Sequence, residues 1–108
     1  MRYYLFIFLL LSSTYSQANS GWTDYGYVEE LVPTIHHRFK VNIDVEGNKS
    51  SCKKEQWFYQ DFNLGGAKEM YLALLEAVSS GKLVRVYVTG RCNIDEYSEI
   101  SEIGIRSK

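Results

Sequence analysis

The spacing of hydrophobic residues changes twice along this chain, and this pattern restricts the folds that the chain can adopt. In Phe39–Val45 and again in Lys82–Thr89, hydrophobic residues occupy every second position, as in strands with one buried face. Between these segments, hydrophobic residues recur at every third or fourth position, which is the period of an amphipathic helix. These residues are Ala67, Met70, Tyr71, Leu74 and Val78. Gly81 follows them and can end the helix in the left-handed conformation.

Three further segments complete the set of predicted elements. Tyr27–Ile35 is typical of a strand that bends at Pro33, because proline cannot donate a hydrogen bond to a neighbouring strand. Gln56–Gln60 predicts a short aromatic strand, and Ile100–Ile105 predicts a last strand. The hydrophobic positions of that last strand shift phase once, which indicates a β-bulge. The predicted order is therefore three strands, one helix and two strands.

This order of elements predicts a fold class. Five short strands with one helix between the third and the fourth favour an OB-fold-like barrel, an all-β to α+β architecture. Closing the sheet removes the exposed edges that a small open sheet would present. The helix is expected to cover one open end of the barrel with Met70, Leu74 and Val78. An open α+β sheet with one packed helix is the structural alternative.

The first segment of the chain predicts export. Met1 and Arg2 precede the apolar run Tyr3–Leu11, and Ser16 and Ala18 are the small residues expected before a cleavage site. A transmembrane anchor is the alternative, but the apolar run is about half the roughly 20 residues that a spanning helix needs. We therefore predict a signal peptide at residues 1–18, one OB-fold-like domain at 19–108, and a secreted or periplasmic protein.

Export affects the interpretation of the cysteines. Cys52 and Cys92 are the only two in the chain, and an oxidising compartment favours a bond between them. A redox-active or nucleophilic thiol is the alternative. That alternative lacks a C-x-x-C spacing and a histidine nearby in the sequence. We therefore predict a structural disulfide.

The chain carries no motif of an enzyme. We find no G-x-S-x-G, H-E-x-x-H, Walker or G-x-G-x-x-G pattern. His36 and His37 are adjacent, and neighbours in a strand point to opposite faces, so we predict no metal site there. The sequence therefore predicts a protein without catalytic residues or a cofactor. A net charge of -1 disfavours nucleic acid as a partner.

Aromatic residues make up 15% of the chain. Eight of them, in the predicted mature domain, are of interest for binding: Trp22, Tyr25, Tyr27, Trp57, Phe58, Tyr59, Tyr87 and Tyr97. Some of these rings are needed for core packing. Aromatic rings interspersed with Asn, Asp and Glu also suit sugars, because a ring stacks on a pyranose while polar groups bind its hydroxyls. OB barrels bind oligosaccharides as well as oligonucleotides.

Several of these residues also carry a family resemblance. The pair Trp22-Thr23, then Cys52, and then the run Met70–Tyr87 resemble the binding subunit of subtilase cytotoxin and its small exported relatives. The resemblance implies an OB-fold and, in the toxin members, a ring of five subunits that binds cell-surface glycans and carries a separate catalytic subunit. It places the sugar pocket near the first strand and near the strand that holds Val84–Tyr87. The candidate glycan-binding residues are then Asp24, Tyr25 and Tyr87.

These observations predict a secreted, non-enzymatic binding module. Its expected partners are a cell-surface glycan, further copies of the chain in a pentamer and a separate catalytic toxin subunit. The alternative is a periplasmic structural or protein-interaction domain that binds no glycan. For the mature chain we predict no membrane span.

Overall fold

The computed structural model describes residues 19–108, so the predicted signal peptide at 1–18 lies outside the described residues. The elements are β1 (Gly21–Trp22), β2 (Gly26–Pro33), β3 (Arg38–Ile43), β4 (Lys54–Asp61), α1 (Ala67–Ser80), β5 (Leu83–Val88) and β6 (Tyr97–Arg106). This is the predicted order with one addition, because the short strand β1 precedes the first predicted strand. The helix accordingly lies between β4 and β5.

The strands close into a five-stranded barrel of the OB-fold type. Along the sheet the order is β5, β2, β3, β4 and β6, and β6 pairs back onto β5. The β4–β6 pairing is parallel, whereas the other pairings around the barrel are antiparallel. The predicted barrel is therefore confirmed, and the open-sheet alternative is excluded.

The predicted alternation correctly separates the inner and outer faces of the strands. Phe39, Val41 and Ile43 on β3 are fully buried. The same is true of Val84, Val86 and Val88 on β5.

The helix packs against this core as predicted. Leu74 is fully buried, and Met70 and Val78 are partly buried against the same cluster. Gly81 ends the helix at φ 69°, and its N–H donates to the carbonyl of Ala77. Because an L-residue rarely adopts that conformation, glycine is favoured at this position.

The prediction for the first strand, Tyr27–Ile35, is wrong in two details. It does not bend at Pro33 but ends there, where Pro33 pairs with Phe39, and the irregularity of pairing lies between Val28 and Glu30. Ile35 lies in the turn that follows and is 90% exposed. Proline at the end of a strand leaves the pairing that precedes it intact, so no bend is needed.

The last strand contains the predicted β-bulge. Tyr87 on β5 pairs with Glu102 on β6, whereas the next residue, Val88, pairs with Ile100. One residue of β6, Ser101, is therefore left without a partner across the pair, as in a bulge. The strand also begins three positions earlier than predicted, at Tyr97.

A disulfide links the two segments that lead into the parallel strand pair. Cys52 precedes β4 and Cys92 precedes β6, and their Cα atoms are 5.4 Å apart. The predicted Cys52–Cys92 bond is therefore present. Within residues 19–108, no helix has the length and apolar character needed to cross a membrane.

Candidate functional site

The candidate site is built around a break in the first strand of the barrel. Both β1 and β2 pair with β5, and the chain between them, residues 23–25, leaves the strand geometry. Thr23 holds this break in place. Its N–H donates to the carbonyl of Val86 at 2.8 Å, and its Oγ1 accepts from the N–H of Val86 at 3.1 Å. The side chain thus replaces a backbone acceptor of the sheet, and it positions the two residues that follow, Asp24 and Tyr25.

A close approach of two backbones lies directly after the break. Gly26 is buried, and a Cβ built on it would lie 2.1 Å from the carbonyl oxygen of Asp44. Only glycine permits this approach. The segment that follows β3, with Asp44 and Glu46, is therefore brought against Tyr25.

The result is a surface pocket of about 310 Å³ that is lined by Asp24, Tyr25, Asp44 and Glu46. We call it the Tyr25 pocket. The three acidic residues are exposed, and Tyr25 is half-buried. Among the described residues none of the three carboxylates forms an ion pair. Their oxygens are therefore available as hydrogen-bond acceptors for a ligand.

A chain of ring contacts supports Tyr25 from the side of β5 and β6. The guanidinium carbon of Arg106 lies 4.2 Å from the centroid of the Tyr25 ring, and that of Arg85 lies 5.3 Å from it. Arg85 also lies 4.2 Å from the Trp22 ring centroid, and Trp22 packs edge-on against Tyr87 at 5.5 Å. We call these five residues the aromatic–arginine ladder. Such cation–π contacts favour this position of the Tyr25 ring.

Arg85 occupies this place because the residue opposite it has no side chain. Arg85 pairs with Gly104 on β6, and a Cβ on Gly104 would lie 3.3 Å from the Cγ and Nε of Arg85. The Nε atom is buried and has no hydrogen-bond partner within residues 19–108. The rings of Trp22 and Tyr25, rather than a carboxylate, therefore stabilise this cation.

The structure brings together two of the three predicted site residues. Asp24 and Tyr25 line the same pocket. Tyr87 lies on the same outer surface but does not line the pocket, and within residues 19–108 Trp22 and Arg85 connect it to Tyr25.

Sequence reasoning missed several residues of this site. They are Thr23, Asp44, Glu46, Arg85 and Arg106. The alternation in β5 already places Arg85 beside Tyr87 on the outward face, so the sequence contained a signal for Arg85. The approach of Asp44 and Arg106 to Tyr25 depends on strand register, and no local pattern predicts it.

Buried aromatic residues elsewhere serve packing. Phe58 is fully buried, and Tyr59 is 2% exposed. Burial raises the pKa of the Tyr59 phenol above its ordinary value, and the negative charges of Glu99 and Asp61 raise it further. The phenol therefore stays protonated at neutral pH.

The adjacent histidines lie in the turn between β2 and β3, and both are exposed. They line a depression of about 390 Å³ together with Arg38, Asp61 and Asn63. Arg38 Nε donates to Asp61 Oδ1 at 2.8 Å, so the fixed charges of this depression compensate each other. Within residues 19–108, no three His, Cys, Asp or Glu side chains are grouped so as to hold a metal ion.

The chain matches no protein-family model, no curated protein and no solved structure. The resemblance to toxin binding subunits therefore stays a prediction.

Proposed function

We propose that this protein is a secreted, non-enzymatic module that binds cell-surface glycans in the Tyr25 pocket. The observation that supports the proposal is the lining of that pocket. The carboxylates of Asp24, Asp44 and Glu46, which form no ion pair within residues 19–108, line the pocket together with one half-buried tyrosine ring. Aromatic rings and hydrogen-bond acceptors are the groups that orient a sugar in a pocket.

Each group in the pocket has a role that suits a sugar. Carboxylate oxygens accept hydrogen bonds from hydroxyl groups, and charge-assisted bonds of this kind are stronger than neutral ones. The Tyr25 ring contributes apolar contact area. Because Arg85 and Arg106 already hold that ring, a ligand loses little free energy by ordering it.

Binding is expected to depend on Tyr25 far more than on its neighbour Tyr27. Tyr25→Ala removes the ring from the pocket, and Asp24→Asn removes one acceptor charge. A central contact of this kind contributes about 2 kcal/mol or more, so we expect Tyr25→Ala to weaken glycan binding by about 30-fold or more. The measurement is binding to a broad glycan array, followed by calorimetric titration of the glycans that bind.

Tyr27→Ala is the matched control, because Tyr27 is 45% exposed on β2 and belongs neither to the pocket nor to the ladder. It should leave glycan affinity unchanged. Thermal melts of all three variants separate loss of binding from loss of folding. The proposal fails if the folded wild-type protein binds no glycan, or if Tyr27→Ala weakens binding as much as Tyr25→Ala does.

The resemblance to toxin binding subunits supports a larger assembly as part of this proposal. Five copies of the chain would form a ring and carry a separate catalytic subunit. Light scattering after size exclusion should then give a mass about five times that of the monomer. A monomeric mass would exclude the ring and leave glycan binding by a single subunit to be tested.

A protein-interaction domain is the second candidate, and one observation favours it. Leu72 and Leu75 on α1 and Leu64 just before it are between 43% and 51% exposed. Leu72 and Leu75 are three positions apart and share one face of the helix, and neighbouring exposed leucines are typical of surfaces that bind proteins. Recovery of one stoichiometric partner from envelope extract, lost in Leu72→Ser/Leu75→Ser, would support this candidate.

A further inference from the structure

A second pair of aromatic rings lies on the outer surface of β4 and β6. Trp57 and Tyr97 are stacked with their centroids 5.6 Å apart and their planes 20° apart. Their chain neighbours Phe58 and Ser98 are fully buried, so Trp57 and Tyr97 point away from the core. Both rings are half-buried. The ring pair therefore forms a partly exposed aromatic surface, in which each ring packs against the other.

Two lysines converge on this ring pair. The Nζ atom of Lys54 lies 4.9 Å from the centroid of the Tyr97 ring, and the Nζ atom of Lys40 lies 5.3 Å from the same centroid. Lys53 is adjacent in the chain and is exposed. Among the described residues, none of these three lysines has a carboxylate within ion-pair distance. We call Trp57, Tyr97 and the three lysines the Trp57 platform.

The platform borders a depression of about 470 Å³. Its lining residues are Asn42, Lys53, Lys54, Glu55, Gln56 and Trp57. The depression is shallow and widely open to solvent, so a ligand would lie along it. The amides of Asn42 and Gln56 can exchange hydrogen bonds with hydroxyl groups. None of these residues lines the Tyr25 pocket.

We propose that the Trp57 platform is a second ligand site, which binds a saccharide that carries a phosphate or sulfate ester. Ammonium groups of lysine bind such anions as point charges. The ring of Trp57 supplies stacking area for the sugar, and the amides beside it bind hydroxyls. The ester group compensates the charges of Lys40 and Lys54, which no carboxylate of the described chain neutralises.

The surroundings of the platform favour a short saccharide over a nucleic acid. A single strand of nucleic acid needs a continuous basic groove and several rings on which successive bases stack. Here Glu55 lies in the same depression as Lys53 and Lys54. The chain as a whole has a net charge of -1. A polyanion would therefore meet little basic surface beyond the platform.

The test is titration of the oxidised protein, at low and at moderate salt, with four probes. These are a fully sulfated heparin tetrasaccharide, the same tetrasaccharide without sulfate, mannose 6-phosphate and an oligothymidylate. We expect binding of the sulfated tetrasaccharide, of mannose 6-phosphate or of both, and the anion that binds identifies the ester. Salt should weaken this binding, because the binding depends on attraction between exposed charges, which dissolved ions screen. The unsulfated sugar should bind at least about tenfold more weakly.

The variant Lys40→Gln/Lys54→Gln should weaken that binding by about tenfold or more. Lys68→Gln/Lys82→Gln changes the net charge equally, on α1 and just before β5, and should leave that binding unchanged. In a Trp22→Phe background, the fluorescence of Trp57 should respond to the ligand, because the chain has two tryptophans. Thermal melts establish that each variant is folded.

Binding of neither anionic saccharide by the folded wild type would overturn the inference. So would an equal loss in the control double variant, or tighter binding of the oligothymidylate. The Tyr25→Ala variant should retain this binding. A failure at the platform is thus distinguishable from a failure at the Tyr25 pocket.

Discussion

Breaking the Cys52–Cys92 bond is expected to lower the melting temperature by more than about 10 °C. The two cysteines are 40 positions apart in the chain, and closing a loop of that size restricts the unfolded state by about 4 kcal/mol on the chain-entropy model. A domain this small has a net stability of the same order, and each kcal/mol shifts its melting temperature by several degrees.

The place of the bond in the fold adds to this effect. It joins the segments before β4 and β6, the parallel strand pair, which the chain brings together only across a long separation. Without the bond, the favourable free energy of that strand pairing must offset the whole entropy loss of closing the loop.

Thermal melts of the oxidised protein, the reduced protein and Cys52→Ser test this prediction. The reduced protein is the matched control, because it loses the bond without a change of side chain. The reduced protein and Cys52→Ser should both melt at temperatures far below that of the oxidised protein. A shift of less than about 3 °C would show that the bond contributes little to stability.

Gly26→Ala is expected to lower the free energy of unfolding by at least about 3 kcal/mol. The added Cβ would lie 2.1 Å from the carbonyl oxygen and 2.6 Å from the carbonyl carbon of Asp44. These are backbone atoms, so the clash can be relieved only if the end of β3 moves away from β2. That movement would also carry Asp44 away from Tyr25 and widen the Tyr25 pocket.

Gly65→Ala is the control, because a Cβ at Gly65 would meet no atom within 4 Å. We expect its effect on unfolding to stay within about 1 kcal/mol, and it can be stabilising. Urea denaturation of the wild type, Gly26→Ala and Gly65→Ala measures the change in the free energy of unfolding for each variant. If Gly26→Ala lost less than about 1 kcal/mol, the close approach of the two backbones would not be a requirement of the fold.

The parts of this fold that the sequence predicts are those that depend on local spacing. The alternation at Val84, Val86 and Val88 identifies the buried face of β5, and the phase slip near Ile100 identifies the bulge of β6. Local sequence reasoning fails where one residue type is compatible with two different structures. Pro33 can bend a strand or end one, and only the pairing with Phe39 shows that the strand ends there.

The candidate site is less predictable, because it depends on contacts between distant parts of the chain. Tyr25 meets Arg106 across 81 positions of sequence, and this contact follows from the pairing of β5 with both β2 and β6. The approach of Asp44 to Tyr25 depends on the missing side chain of Gly26. Such contacts are set by register and by close backbone packing, which the hydrophobic pattern of a single segment does not encode.

The two aromatic surfaces differ in the charge that surrounds them. Acidic residues line the Tyr25 pocket, whereas lysines flank the Trp57 platform. Complementary charge is what discriminates between ligands of similar shape. We therefore expect a neutral saccharide in the Tyr25 pocket and a separate, anionic saccharide at the Trp57 platform.

The most direct test of glycan recognition in the Tyr25 pocket is an NMR titration of the isotopically labelled protein with the glycan that binds most tightly on the array. We expect the amide shifts that change to centre on Asp24, Tyr25 and the segment that holds Asp44 and Glu46, with smaller changes along the ladder to Tyr87. Shift changes confined to the Trp57 platform or to the exposed leucines of α1, with none around Tyr25, would contradict the proposed site.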